Sequence, residues 1–277
     1  MNQNFLTRTL TGAIFVIVLI SAIELHPIVF CILFGAITTL GLHEFYMLSS
    51  SNGLHPGKYQ GIAGGILIYS IICLLAAGII NKSAILILIP IFSALFIFEI
   101  YRNKEFPFQN IANLILGWVY IAIPFSILVW VGFPVNDAYT YHPHMILGFF
   151  ILIWASDTGA YLVGISMGKH LLFPRISPKK TWEGWVGGSI FTLFIAGIIS
   201  KFFTDVQLID WVIIAGIISI FGIWGDLAES MLKRSYQVKD SGNILPGHGG
   251  ILDRFDSALF SVPIVFIYLQ AKYLLFH

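Results

Sequence analysis

The chain has 277 residues, of which 57% are hydrophobic and 10% charged, against about 25% charged in an ordinary soluble domain. So few charges cannot cover a soluble fold of this length, so a lipid bilayer must be the solvent for most of the chain. The formal net charge of +1 says nothing about partners, and the information lies in where the charges fall; no nucleic-acid partner is expected.

Because an α-helix rises ~1.5 Å per residue, ~20 apolar residues cross the hydrocarbon core. Apolar runs predict nine membrane helices, over 9–24, 27–47, 60–80, 83–101, 111–133, 145–168, 186–201, 208–232 and 258–275. The first and seventh are short for a full span. Arg8 before the first run is reminiscent of a secretory signal, but no small-residue cleavage site stands near Ser21–Ala22, so a retained helix is expected. Some connections are very short (Leu25–His26, Asn81–Lys82), whereas 48–59, 102–110, 169–185 and 233–257 are longer and polar. With the N-terminus in the cytoplasm, every Lys and Arg except Lys82, Lys201 and Lys272 falls on the cytoplasmic side, the bias that sets orientation. The expected fold is therefore all-α, a polytopic membrane helix bundle of about nine helices with N-in, C-out topology. It forms one integral membrane domain, 1–277. Residues 1–150 read as scaffold, and 151–277 as a catalytic half with cytoplasmic loops 169–185 and 233–257. Cys31 and Cys73 lie in apolar runs and imply neither a disulfide framework nor a zinc site.

A carboxylate at the centre of a membrane helix costs about 2.5–3.5 kcal/mol, so it needs a partner, water or a metal. Glu44 and Glu99 sit near predicted cytoplasmic helix ends and are expected to reach headgroups and water. Asp157, within Ser156-Asp-Thr-Gly-Ala-Tyr161, lies deep and fits either an interhelical hydrogen bond or a ligand contact. Gly164 and Gly168 on its side of the helix permit close approach. Asp226, Glu229 and Lys233 share one helical face. A Glu229–Lys233 ion pair leaves Asp226 unexplained, and Mg²⁺, which takes oxygen ligands together with substrate phosphates, would explain it. Asp253 and Asp256 share a face if the last helix starts near Leu252, and Asp226 and Asp253 could then oppose each other across a helix pair. Lys233, Arg234, Lys239 and Arg254 suit phosphate, and Gly247, Gly249 and Gly250 around His248 suit an anion-binding nest. In Arg175-Ile-Ser-Pro-Lys-Lys-Thr-Trp-Glu-Gly184, Ser177-Pro178 signals a turn and Thr181 a helix cap. Lys179 and Lys180 add charge, and Trp182 and Trp185 suit the membrane interface. This loop reads as a second wall of a polyphosphate site.

Ser230-Met-Leu-Lys-Arg234, Lys239-Asp240 and Leu245-Pro-Gly-His-Gly-Gly-Ile-Leu-Asp-Arg-Phe-Asp256, in this spacing, resemble the signature of phosphatidate cytidylyltransferases (CDP-diacylglycerol synthases). Residues 156–161 and 177–184 also look like segments of that family. The clear resemblance covers about 150–260, whereas 1–150 is similar only as a run of membrane helices. The resemblance implies transfer of CMP from CTP to phosphatidate, releasing pyrophosphate. It also implies Mg²⁺ on carboxylates that map to Asp226 and Asp253, a homodimer, and K⁺ as a further cation.

The residues fit that chemistry. A phosphate monoester has a second pKa of about 6, so phosphatidate is mostly dianionic near neutrality and needs charge neutralisation more than a general base. Asp226 and Asp253 are expected to hold Mg²⁺, with Glu229 or Asp256 assisting. Lys233, Arg234, Lys239 and Arg254 are expected to neutralise phosphate. Lys179, Lys180, Ser177, His248, Gly249, Gly250 and Asp157 are further expected substrate contacts. The rival readings are a CTP-dependent polyprenol or dolichol kinase, which would release CDP, and a transporter of an anionic solute. A bacterial cytoplasmic (inner) membrane, with the active site facing the cytoplasm, suits a chain with no targeting segment or soluble domain in view.

Overall fold

The computed structural model describes residues 3–50, 53–133, 140–242, 244, 247 and 249–276. The helices are α1 Gln3–Leu25, α2 Pro27–Ser50, α3 Lys58–Ala76, α4 Leu88–Arg102, α5 Pro107–Gly117, α6 Ile123–Val131, α7 Pro143–Met167, α8 Trp182–Phe202, α9 Leu208–Ser235 and α10 Leu252–Phe276. A 3₁₀ turn, Lys82–Ile87, leads into α4, and α5 runs into α6 through a π turn at Trp118–Ala122. Among the described residues, eight helical stretches are long and apolar enough to cross a membrane, and Thr9–Leu25 is a shorter apolar helix. Each of the nine expected segments thus falls on a helix.

The differences from the expected boundaries have local causes. The seventh segment starts at Trp182, because the Thr181 hydroxyl accepts the Gly184 N–H at 3.1 Å and carries the helix through a polar first turn. The π turn lies just before Pro124, whose missing N–H and bulky ring disturb the regular hydrogen-bond ladder. Between α7 and α8 the expected open loop holds an antiparallel hairpin, β1 Leu171–Phe173 with β2 Ser177–Thr181. The turn is therefore not at Ser177-Pro178. It closes earlier, where Ile176 N–H donates to the Phe173 carbonyl at 3.1 Å. Pro178 is tolerated in a strand because a two-stranded ribbon has a free edge that needs no donor.

The chain divides into two compact units. The first comprises 1–141 with 236–254, and the second 142–235 with 255–277. The first unit is built on an aromatic core, with Phe30 against Phe34 at 4.7 Å and Phe34 against Phe125 at 5.7 Å between ring centroids. Buried aromatic hydroxyl and N–H groups find acceptors there, Tyr46 Oη on the Leu114 carbonyl at 2.9 Å and Trp118 Nε1 on the Gly61 carbonyl at 2.6 Å. In the second unit α7 lies close along α8, with Gly159 against Gly188, the small-residue contact that replaces hydrophobic driving force in lipid. Trp211 of α9 fills the space beside Gly148 of α7.

Candidate active site

The second unit gathers the acids of three helices. On α9, Asp226 forms an ion pair with Lys180 of β2 and accepts a hydrogen bond from Ser230 Oγ at 3.3 Å. One turn further, Glu229 is 1% exposed and pairs with Lys233, the ion pair expected from their spacing. On α10, Asp256 Oδ1 accepts the Ser257 N–H at 2.7 Å. Asp226, Asp157 and Lys180 all lie within electrostatic reach of Asp256. Asp256 therefore sits in the field of two further carboxylates and one ammonium. Asp157 of α7 is itself exposed and acts electrostatically on Asp256.

The approach of α9 to α10 depends on Gly225. A Cβ there would fall 2.3 Å from the Asp256 carbonyl oxygen, and backbone cannot yield as a flexible side chain would. Gly225→Ala is expected to cost about 1–3 kcal/mol through overpacking. Thermal unfolding in detergent should record that loss, and an unchanged midpoint would contradict it.

The hairpin delivers Lys180 to this group and leaves Lys179 exposed, with Ser177 half-buried. Its base is tied down by Glu183 at the start of α8, which accepts the backbone N–H groups of Lys169 and His170 at 3.1 Å each. His170 Nδ1 meets Glu183 Oε1 at 2.5 Å. Thr181 ends β2 and caps α8, so the lysine pair is fixed from both sides.

The first unit holds the glycine-rich part of the signature. Asp253 Oδ2 accepts three hydrogen bonds, from Ser241 N at 3.0 Å, Ser241 Oγ at 2.9 Å and Gly250 N at 2.8 Å. The next two backbone donors, Ile251 N and Leu252 N, turn to Glu44 at 2.9 and 3.1 Å. The N–H groups of Gly250, Ile251 and Leu252 thus serve the protein's own carboxylates, with Gly249 beside them at φ 83°. His248 lies outside the described residues. Arg254 and Lys239 are exposed, as is Arg234 of the second unit, whereas Lys233 is half-buried beside Glu229.

Two expectations are corrected. Glu44 and Glu99 do not reach headgroups and water: each is 4% exposed. Glu99 accepts from Arg102 Nη1 at 2.6 Å and from Asn110 Nδ2 at 2.8 Å. Arg102, three residues on, shares its face of the helix, so that partner was readable from spacing. Glu44 has no cation three or four residues away on α2. That lack of a local partner was the signal that a distant segment supplies one.

Among the described residues no three His, Cys, Asp or Glu side chains stand as a ready metal-ligand set. The donor chemistry nevertheless fits a hard cation. Asp157 and Asp226 act on Asp256 and offer only oxygen, and Lys180 brings a single positive charge, a donor chemistry suited to Mg²⁺ with substrate phosphates completing its coordination.

The comparisons with known proteins agree along the length of the chain. The Cytidylyltransferase family model matches residues 6–272. A Staphylococcus saprophyticus protein named phosphatidate cytidylyltransferase is 35% identical over 268 residues, covering 95% of this chain and 98% of that protein. One of the same name from Bacillus subtilis is 35% identical over 266 residues, covering 95% and 96%. A third, from Staphylococcus haemolyticus, is 44% identical over 174 residues, covering 62% and 64%. Identity at this level across nearly the whole of two relatives takes in the bare helices 1–150 as well as the signature, and the chain belongs to the cytidylyltransferase family.

Proposed function

We propose that this membrane protein transfers CMP from CTP to phosphatidate, forming CDP-diacylglycerol and pyrophosphate. The observation that carries this reading is the full-length match to relatives that bear that activity in their names. A phosphate oxygen of phosphatidate attacks the α-phosphorus of CTP. The bond from that phosphorus to the oxygen bridging to the β-phosphate breaks, and pyrophosphate leaves with the electron pair. The attacking phosphate monoester is largely dianionic at neutral pH, so no side chain has to remove a proton. The protein's work is to hold two polyanions together and to neutralise them.

In the second unit Asp226 and Asp256 are the residues proposed to hold Mg²⁺, with Asp157 in the field of Asp256 and Glu229 one turn from Asp226; Asp253 is proposed as a metal ligand on its signature position alone. The metal would supply charge stabilisation to the polyphosphate, with K⁺ as a further cation. Exposed Arg234, Lys239, Arg254 and Lys179 are proposed to meet phosphate. Lys180 and Lys233 are proposed to exchange carboxylate partners for substrate phosphate, and Ser177, His248, Gly249 and Gly250 to line the substrates. The loop charge bias and the bacterial relatives support a bacterial cytoplasmic membrane with the reaction on the cytoplasmic side, and the homodimer is proposed on the family resemblance alone.

The test is a product assay with solubilised protein, labelled CTP and defined lipid acceptors. Pyrophosphate and CDP-diacylglycerol are expected with phosphatidate. Release of CDP with a polyprenol acceptor would replace this reading by a kinase, and nucleotide-free flux of an anion into liposomes would replace it by a transporter. Chelation of divalent cations is expected to abolish the transfer and added Mg²⁺ to restore it, as measured by initial rates. Full activity after exhaustive chelation would remove the metal from the proposal.

A further inference from the structure

Glu44 is a buried carboxylate on the helical scaffold, far in sequence from every group the transfer uses. It is 4% exposed; its oxygens accept Ile251 N and Leu252 N at 2.9 and 3.1 Å, and Ser241 Oγ lies 3.3 Å away. These partners are 197 to 208 residues away in sequence. Ile251 and Leu252 sit at the start of α10, where unsatisfied N–H donors and the helix dipole favour an anion.

Ser241 links this carboxylate to the signature aspartate. Its hydroxyl lies 3.3 Å from Glu44 Oε2 and 2.9 Å from Asp253 Oδ2, while its N–H reaches the same Asp253 oxygen at 3.0 Å. The glycines beside it leave room for the carboxylate. A Cβ on Gly250 would fall 2.2 Å from Ser241 Oγ and 2.5 Å from Glu44 Oε2. The glycine run is therefore fitted to a side chain from α2.

We propose that Glu44 is a positioning residue for the transfer reaction, acting through Ser241 and the Gly250–Leu252 backbone to hold Asp253 in place. Its kinetic readout rests on the activity proposed above, whereas its exchange readout does not.

The decisive variant is Glu44→Gln. It is nearly isosteric, yet it replaces one acceptor oxygen by an NH₂ group. Two backbone donors meet different oxygens of Glu44, Ile251 N on Oε1 and Leu252 N on Oε2, so in either orientation the NH₂ faces one of them. Glu44→Asp keeps two acceptors on a shorter stem. Glu44→Gln is expected to lower kcat about 10²-fold, the scale of a misplacement near 1 Å, with KM for CTP and phosphatidate within about twofold. Hydrogen exchange at Ser241, Gly250, Ile251 and Leu252 should accelerate about tenfold for a lost net hydrogen bond, with other helices unchanged. Glu44→Asp should recover part of both effects, and Ser241→Ala should reproduce a smaller loss in the same direction. The proposal is overturned if Glu44→Gln keeps kcat within twofold. It is equally overturned if exchange rises uniformly through the protein, or if neither Glu44→Asp nor Ser241→Ala follows the expected order. A wild-type protein that makes no CDP-diacylglycerol would instead overturn the activity, leaving the exchange pattern to test the clamp.

Discussion

Asp226→Asn is expected to lower kcat by about 10²–10³-fold, the range for losing one preorganised electrostatic contact to the reacting groups, while the protein inserts and purifies as the wild type does. Asn preserves the shape and removes the charge. In the second unit Asp226 pairs with Lys180 and acts on Asp256, as Asp157 does, so its charge belongs to the group proposed to hold Mg²⁺. The stability effect should be far smaller. The Lys180 and Asp226 side chains are 25% and 31% exposed, and exposed pairs contribute only about 0–1 kcal/mol. Initial rates across a Mg²⁺ titration, with size-exclusion chromatography as the fold control, separate the two effects. Near-normal turnover in the purified variant would remove Asp226 from the metal-binding set.

Asp253→Asn is expected to lower kcat by at least about 10²-fold, and it should also loosen the loop it closes. One oxygen of Asp253 collects three donors from Ser241 and Gly250. Hydrogen bonds to a charged acceptor contribute about 1.5–3 kcal/mol each, and those to a neutral amide less. Activity should therefore fall together with protection of the Gly250 amide. Loss of turnover with unchanged protection would assign Asp253 to charge alone. Retained turnover would exclude it from the reaction.

The contrast between Glu229 and Glu44 indicates how far the sequence could be read. Glu229 and Lys233 are four residues apart on one helix, so their pairing followed from spacing and is present. Thr181 as a cap followed in the same way. Lys180 meets Asp226 through a hairpin, and that hairpin was hidden because Pro178 and the short polar run read as a loop. Glu44 meets Ser241 and Leu252 across some two hundred residues, a pairing that no local period encodes. Its placement among headgroups was wrong for that reason.

The sequence by itself determined the solvent, the nine helical segments, the family and the chemistry of the residues that carry charge. Apolar run length, charge bias and motif spacing are local or additive properties of the chain, so they survive without a fold. Only the tertiary structure decided which partner each charge has: Asp226 with Lys180, Asp253 with Ser241 and Gly250, and the backbone of the signature with Glu44. In an apolar medium a carboxylate must find a donor wherever packing brings one, and packing is set by contacts between segments far apart in the chain.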